Sequence, residues 1–522
     1  MFQNLRDHQD GSIIETDLCI IGAGAAGITI AREFIGTSQN VLLLESGDLE
    51  PEGDTLALNE GVSVGEPHPP METTALRFFG GTTNHWDGHC RPLDPIDFEA
   101  RPWVPHSGWP ITLKDLEPHY AQAVSICEVG FNDFTAETWK VAFPSLIDWD
   151  TRRVVNRPWH LSPPTRFGER YREELRQADN IHVLFNANVI RIQLSENASE
   201  VTELALRTLD GKTATVRPRQ VVLACGGIEN ARLLLASNNV ATAGVGNGND
   251  LVGRFFMEHP HAIVAYAVPN VDITPFEPYF TGTPGTVAAG SAVIRVKPGL
   301  SEALQRAQQL PNACLDMGYG YDRSSGYLAA REIGKALSDG RMPNDFGEDI
   351  LTILGDLDGL AAGAYHYARK ERMLWFGANT EQIPNPQSRV SLDNSTDALG
   401  QHRTRLNWQL TTLDKEATLR TCRIVGEELA RLGIARMHID DWMLDGDTGW
   451  PGLQVRYHHM GTTRMGDDPK TSVVDRDCRI HGIANLHVAG SSVFTTSGYA
   501  NPTLTIVALA LRLAGRLKML KS

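Results

Sequence analysis

The side chains best suited to moving a proton gather in two short stretches. RYHHMGTTRMG, residues 456–466, sets His458 and His459 ahead of Gly461, on what reads as an irregular loop after Trp450-Pro451-Gly452. Histidine is the natural base for an alcohol proton near neutral pH. Two histidines in a loop can equally be satisfied by backbone groups, and the residue types alone leave both uses open. The second stretch, TTSGYANPTLTIVALALRLAGRL, turns helical at Asn501-Pro502. Asparagine suits an N-cap, and proline suits the first helical position, where no N–H is required. Such a helix presents the positive end of its dipole to whatever lies before it. His85, His89 and Cys90 also cluster. A metal site needs a fourth ligand and suitable spacing, so no metal is expected.

These groups need a scaffold, and the opening of the chain carries its pattern. DLCIIGAGAAGITIAREFIGTSQNVLLLE, residues 17–45, reads as a strand, a glycine turn, a helix from about Ala25 to Ile35, and a second strand, Val41 to Leu44, closed by Glu45. Gly22, Gly24 and Gly27 form GxGxxG. Gly22 makes the sharp turn, Gly24 leaves room for a pyrophosphate at the backbone, and Gly27 lets helix and strand approach. The helix start offers free N–H groups to phosphate. Glu45 falls where an acid accepts hydrogen bonds from a ribose hydroxyl. Together these features predict dinucleotide binding. Gly80-Gly81, followed by Thr82, Thr83 and Asn84, reads as a second phosphate-contacting turn or as an ordinary loop. TATVRPRQVVLACGGIENARLLLAS, residues 213–237, repeats the opening grammar: a strand to Ala224, small residues at Cys225-Gly226-Gly227, and a helix from near Glu229.

The chain of 522 residues is long enough for two intertwined domains. A formal net charge of −15 argues against a nucleic-acid surface and, more weakly, against a basic membrane-binding patch. No stretch is apolar for long enough to span a bilayer, and the N-terminus lacks a secretory signal, so a cytoplasmic protein is expected. The seven scattered cysteines contain no CxxC and read as free thiols. Ser46 to Pro70, rich in glycine and proline, reads as a lid or ligand-covering loop. Residues 108–123, 166–178 and 413–432 read as helical, 181–194 as a strand pair, and 131–165 shows no clear period. From about 261 to 440, short alternating strands and helices replace the strand–glycine–helix units, and 323–372 is mostly helical in pattern. This region reads as a substrate domain inserted into the nucleotide-binding domain.

GAGAAG with Glu45, GGTTNHW, VVLACGGIENARLLL, VGRFFMEHP, HHMGTTRMG and GSSVFTTSGYANPTLT stand in the order seen in glucose–methanol–choline (GMC) flavin oxidoreductases. The chain resembles that family, and within it the pyranose oxidase and glycoside 3-oxidase branch. The likeness covers both ends and is poor from about 261 to 375. It implies an α/β protein with a Rossmann-like FAD-binding domain (10–100, 166–260 and 441–522). It also implies an inserted α+β substrate domain (101–165 and 261–440), an antiparallel sheet with helices. FAD would be held by Gly22, Gly24, Ala25, Ala26 and Glu45, by Gly80, Gly81, Thr82, Asn84 and His85, by the backbone of Val189, and by Cys225. Gly490, Ser491, Asn501, Pro502 and Thr503 would complete the set, the last helix aiming its dipole at the flavin N1–C2 edge.

The resemblance makes His458 the base rather than His459, with Asn501 holding the substrate hydroxyl. Many relatives carry histidine at the second position; asparagine is similar to the pyranose oxidase pattern. His85 matches a position of covalent FAD attachment in some pyranose oxidases, but Asn84 stands where those carry threonine, so non-covalent FAD is expected. The implied activity is oxidation of a secondary hydroxyl, C3 or C2, of a sugar or glycoside to a ketone, with hydride passing to flavin N5 and then to O2 or another acceptor. Trp139, Trp149, Trp159, Tyr365, Tyr367 and Trp375 are residues that stack on sugar rings or fill cores. A non-sugar alcohol, a lyase with non-redox FAD, and a nicotinamide-dependent dehydrogenase are the alternatives. A homo-oligomer is left open.

Overall fold

The computed structural model describes residues 1–520 apart from 321–324, 339, 341, 344, 345, 370, 371 and 448. Its first sheet is built around the strand Ser12–Ile21, whose Leu18, Cys19 and Ile20 are fully buried. A parallel strand covered on both faces needs such a continuous apolar run. Val41–Leu44 lies parallel to it on one side and Thr213–Leu223 on the other. Ile181–Phe185 and Phe2–Asn4 extend the parallel set beyond Val41–Leu44, and Leu486–Val488 pairs with Thr213–Leu223. The hairpin of Val201–Arg207 and Asn188–Leu194 closes the far side antiparallel. The glycine turn leads into the helix Ala25–Glu33, which packs on the C-terminal helix Thr503–Met519, itself packed on Leu113–Ile126.

Three local expectations are corrected. Residues 181–194 form two strands that do not pair with each other and lie on opposite flanks of the sheet. Ile181, Val183 and Leu184 are core residues of the parallel set, and the chain then turns away through Asn186, at φ 55. The helix expected from near Glu229 begins at Gly226. Ser46 to Pro70 is not a plain loop. It contains the helical turn Gly53–Leu56 and the strand Gly61–Gly65, which runs parallel to His402–Trp408 in a small sheet completed by Arg389–Thr396.

The second sheet is antiparallel throughout. Its order is Ala435–Ile439, Ile263–Pro269, Met373–Thr380, Ala313–Gly320, Gly290–Leu300, Val154–Leu161 and His89–Cys90, with Thr283–Val287 beside Gly290–Leu300. Val154–Leu161 lies in the stretch without a readable period, where Asn156, Arg157 and His160 interrupt the apolar positions. Alternation along the strands separates two faces. Ile294, Val296, Leu315, Met317, Leu374 and Phe376 share a core with Cys422, Val425 and Leu429 of the helix Thr412–Arg431. Arg295, Lys297, Asp316, Trp375 and Trp159 therefore occupy the other face. Between Ala313–Gly320 and Met373–Thr380 the chain makes the helices Ser325–Ser338, Phe346–Gly355 and Leu357–Arg369. Parts of that predicted helical stretch, at 323, 324, 339, 341, 344, 345, 370 and 371, lie outside the described residues. Among the described residues no helix is long and apolar enough to cross a membrane.

Candidate active site

A cavity of about 370 Å³ runs from the glycine turn to the RYHHM loop. Gly22 turns at φ 103, and a Cβ on Gly27 would come within 1.9 Å of Gly22 O, so the first and third glycines are fixed by packing. A Cβ on Gly24 would meet nothing within 4 Å, so the second opens onto free space. Glu45 is buried and accepts hydrogen bonds from Ala23 N–H and Gly47 N–H, both at 3.0 Å, which fixes its carboxylate at the turn. Ala25 and Ala26, then Gly81, Thr82 and His85, continue the lining. Val189, Cys225, Gly490 and Ser491 form the opposite wall, and Asn501, Pro502 and Thr503 close it.

Gly80 and Asn84 stand behind this wall. Gly80 N–H donates to Ala23 O at 2.9 Å, and Asn84 Nδ2 donates to Phe79 O at 3.0 Å. The cradle suits a dinucleotide on two observations of its own: the open space over Gly24 and the buried His85 Nε2, which lacks a protein hydrogen-bond partner. His85 itself stacks beside Tyr457, with ring centroids 5.9 Å apart. Among the described residues no group of three or more histidine, cysteine or carboxylate side chains is arranged to hold a metal.

At the other end, the loop carrying His458 is tied down on several sides. Met257 and Met460 exchange backbone hydrogen bonds of 3.0 Å, and Gly461 N–H donates to Ser491 O at 3.1 Å. The buried Glu258 carboxylate accepts from the backbone N–H of His259 at 3.0 Å and of Arg456 at 3.1 Å, and also from that of His458. Burial pushes its carboxyl up to about 7 against these three donors.

The protons on His458 follow from its neighbours. His259 Nε2 lies 2.8 Å from Gly498 O, which can only accept, so Nε2 carries the hydrogen. Burial lowers His259 to about 4, leaving it neutral, with a lone pair on Nδ1. His458 Nδ1, 2.9 Å away, must donate to that lone pair. His458 is held well below its ordinary value, first by burial and then by His259 and Arg456. Its Nε2 is therefore a free lone pair. Asn501 Nδ2 donates to it at 3.3 Å, and the amide is oriented by Trp159 Nε1–H, which donates to Asn501 Oδ1 at 3.2 Å. Both groups line the cavity.

Asn501 does not cap the last helix. Pro502 is the capping residue of Thr503–Met519, with no side-chain bond, because the Asn501 amide is turned to Trp159 and His458. His459 points elsewhere: its Nε2 lies 3.3 Å from His68 Nε2, so the Ser46 to Pro70 stretch reaches the back of the loop. Glu258 and His259 are the residues that sequence reasoning left without a role here, and Trp159, read as a sugar-stacking or core residue, instead orients Asn501. The only signal was the pair Glu258-His259 in VGRFFMEHP, two hundred residues before the loop it supports.

Residues 384–510 match the GMC oxidoreductase family, and residues 17–242 match the FAD dependent oxidoreductase family. The chain is 24% identical to the fructose dehydrogenase large subunit of Gluconobacter japonicus, over 96% of this chain and 97% of that one. It is 36% identical to C-glycoside 3-oxidase of Arthrobacter globiformis over 24% of this chain and 23% of that one. A crystal structure of formate oxidase shares the fold at a TM-score of 0.57 and 16% identity, covering 98% of this chain and 99% of that one. The chain thus carries an FAD dependent oxidoreductase region and a GMC oxidoreductase region, and it is an FAD-dependent alcohol oxidoreductase.

Proposed function

We propose that the enzyme oxidises a secondary hydroxyl, at C3 or C2, of a sugar or glycoside to a ketone, with His458 as the base. The observation that carries this reading is the fixed orientation of the His458–Asn501 pair. A hydroxyl that replaces their direct 3.3 Å contact would give its proton to His458 Nε2 while its oxygen accepts from Asn501 Nδ2. His259 and Gly498 keep the imidazole in the tautomer that can receive that proton, and Trp159 keeps the amide from flipping. A base positioned in this way contributes roughly 10²- to 10⁴-fold in rate. FAD, when bound, supplies the hydride acceptor. Gly22, Gly24, Glu45, Gly81, His85, Val189, Ser491, Pro502 and Thr503, which line the cavity, would hold it.

The sugar reading is supported by the likeness to C-glycoside 3-oxidases. Oxygen or another acceptor completes the cycle. The test is an anaerobic visible spectrum of the purified holoenzyme, before and after D-glucose and then a methyl glucoside, with the product identified. Bleaching with formation of a keto-sugar is expected. Flavin bands that no sugar bleaches would instead favour a non-sugar alcohol or a lyase.

A further inference from the structure

Resting on that reading, we propose that the preferred sugar or glycoside carries an anionic oxygen group, a carboxylate or phosphate, which Arg456 binds with Lys297 and Arg295 behind it. Arg456 lines the cavity, and it is one of three cations grouped around a single carboxylate. Lys297 Nζ lies 2.8 Å from Asp316 Oδ1, Arg456 Nη2 lies 3.2 Å from Asp316 Oδ2, and Arg295 Nη2 lies 3.8 Å from Asp316 Oδ1. One carboxylate balances one cation. Burial lowers Lys297 and the Asp316 carboxylate beside it opposes this; with Lys297 charged, and even with Glu258, at the backbone of Arg456, counted as ionised, a positive charge is left over. Other titratable groups facing the cluster do not supply the missing anion. Burial, followed by Lys297 and Arg295, lowers His89 to about 3. Burial and Arg456 lower His261 to about 3, and burial raises the Cys314 thiol to about 12. All three are neutral at pH 7. The surplus is local, in a chain whose formal net charge is −15.

Position matches the proposed chemistry. Arg456 lines the cavity and its side chain is 37% exposed, whereas Lys297 and Asp316 are each 6% exposed. Lys297 Nζ sits 4.3 Å over the Trp159 ring, and the nitrogen of that indole holds Asn501. One indole therefore separates the cation cluster from the group that would hold the reacting hydroxyl. The Arg295 Nε, buried with no hydrogen-bond partner, is a further donor on the same face. The proposed ligand would put its hydroxyl at His458 and its anionic group at Arg456, which line the same cavity.

Binding of D-glucuronate, D-glucose 6-phosphate and D-glucose to the holoenzyme, measured by titration calorimetry, tests this without turnover. A charge-assisted pair should favour one anionic sugar over D-glucose by at least about ten-fold. Which of the two is favoured separates carboxylate from phosphate. In Arg456→Gln the ratio of anionic to neutral affinity should fall toward one, and in Arg456→Lys it should largely return. Equal affinities in the wild type, or a ratio unchanged by Arg456→Gln, would overturn the proposal. Failure of the sugar reading shows separately, as flavin bands that none of the three compounds bleaches anaerobically.

Discussion

His458 acts as a base in this account because its neighbours decide where its protons sit. Gly498 O fixes His259, His259 fixes His458, and Nε2 is left to face Asn501. A base must be unprotonated to work. The His458 pKa is lowered from 6.5, first by burial and then by His259 and Arg456, so the free base persists as the medium turns acid. Substrate-driven flavin reduction, followed by stopped flow, should stay level as pH falls through 6.5 and decline only well below it. A limb at or above 6.5 would contradict the assignment. The residue types at 458 and 501 were legible in the sequence because each stands in a short local pattern. The tautomer was not legible. It depends on His259 and Gly498, which reach His458 only through the fold, and no local spacing connects them.

At the scale of elements, the site hangs on close backbone contacts that glycine permits. Gly227, in the first turn of Gly226–Ala236, touches the loop: a Cβ there would come within 2.2 Å of His459 O and 2.6 Å of His459 C. That carbonyl is also held by Ser491 Oγ–H at 2.6 Å, so it cannot retreat freely. Gly227→Ala should cost about 1–3 kcal/mol by overpacking and displace the loop enough to slow flavin reduction. As a control, Gly515→Ala in the C-terminal helix, where a Cβ meets nothing within 4 Å, should stabilise by roughly 0.5–1 kcal/mol. Thermal unfolding of both variants checks this; equal shifts would contradict the account. The opening strand–turn–helix–strand was readable because its apolar runs and glycines are local. The end of the chain misled in one respect. Asn501-Pro502 has the pattern of a cap, yet the amide serves the site instead of the helix.

Over the whole molecule, a largely parallel sheet leads into the glycine turn that lines the cavity, and the antiparallel sheet reaches the same cavity at His89. We propose that 10–100, 166–260 and 441–522 serve the cofactor and that 101–165 and 261–440 serve the substrate. The glycine turn was plain in the sequence. The strand pairing of the second sheet was not, because an antiparallel sheet draws its neighbours from strands far apart: Val154–Leu161 lies beside Gly290–Leu300 and the two-residue strand His89–Cys90. All of this converges on one proton transfer, and the most direct test removes its acceptor. Wild type and His458→Ala, each loaded with FAD, should be mixed anaerobically with the sugar that bleaches the wild type best. The variant should keep its flavin spectrum and reduce about 10²- to 10⁴-fold more slowly. Reduction at the wild-type rate would show that His458 is not the base.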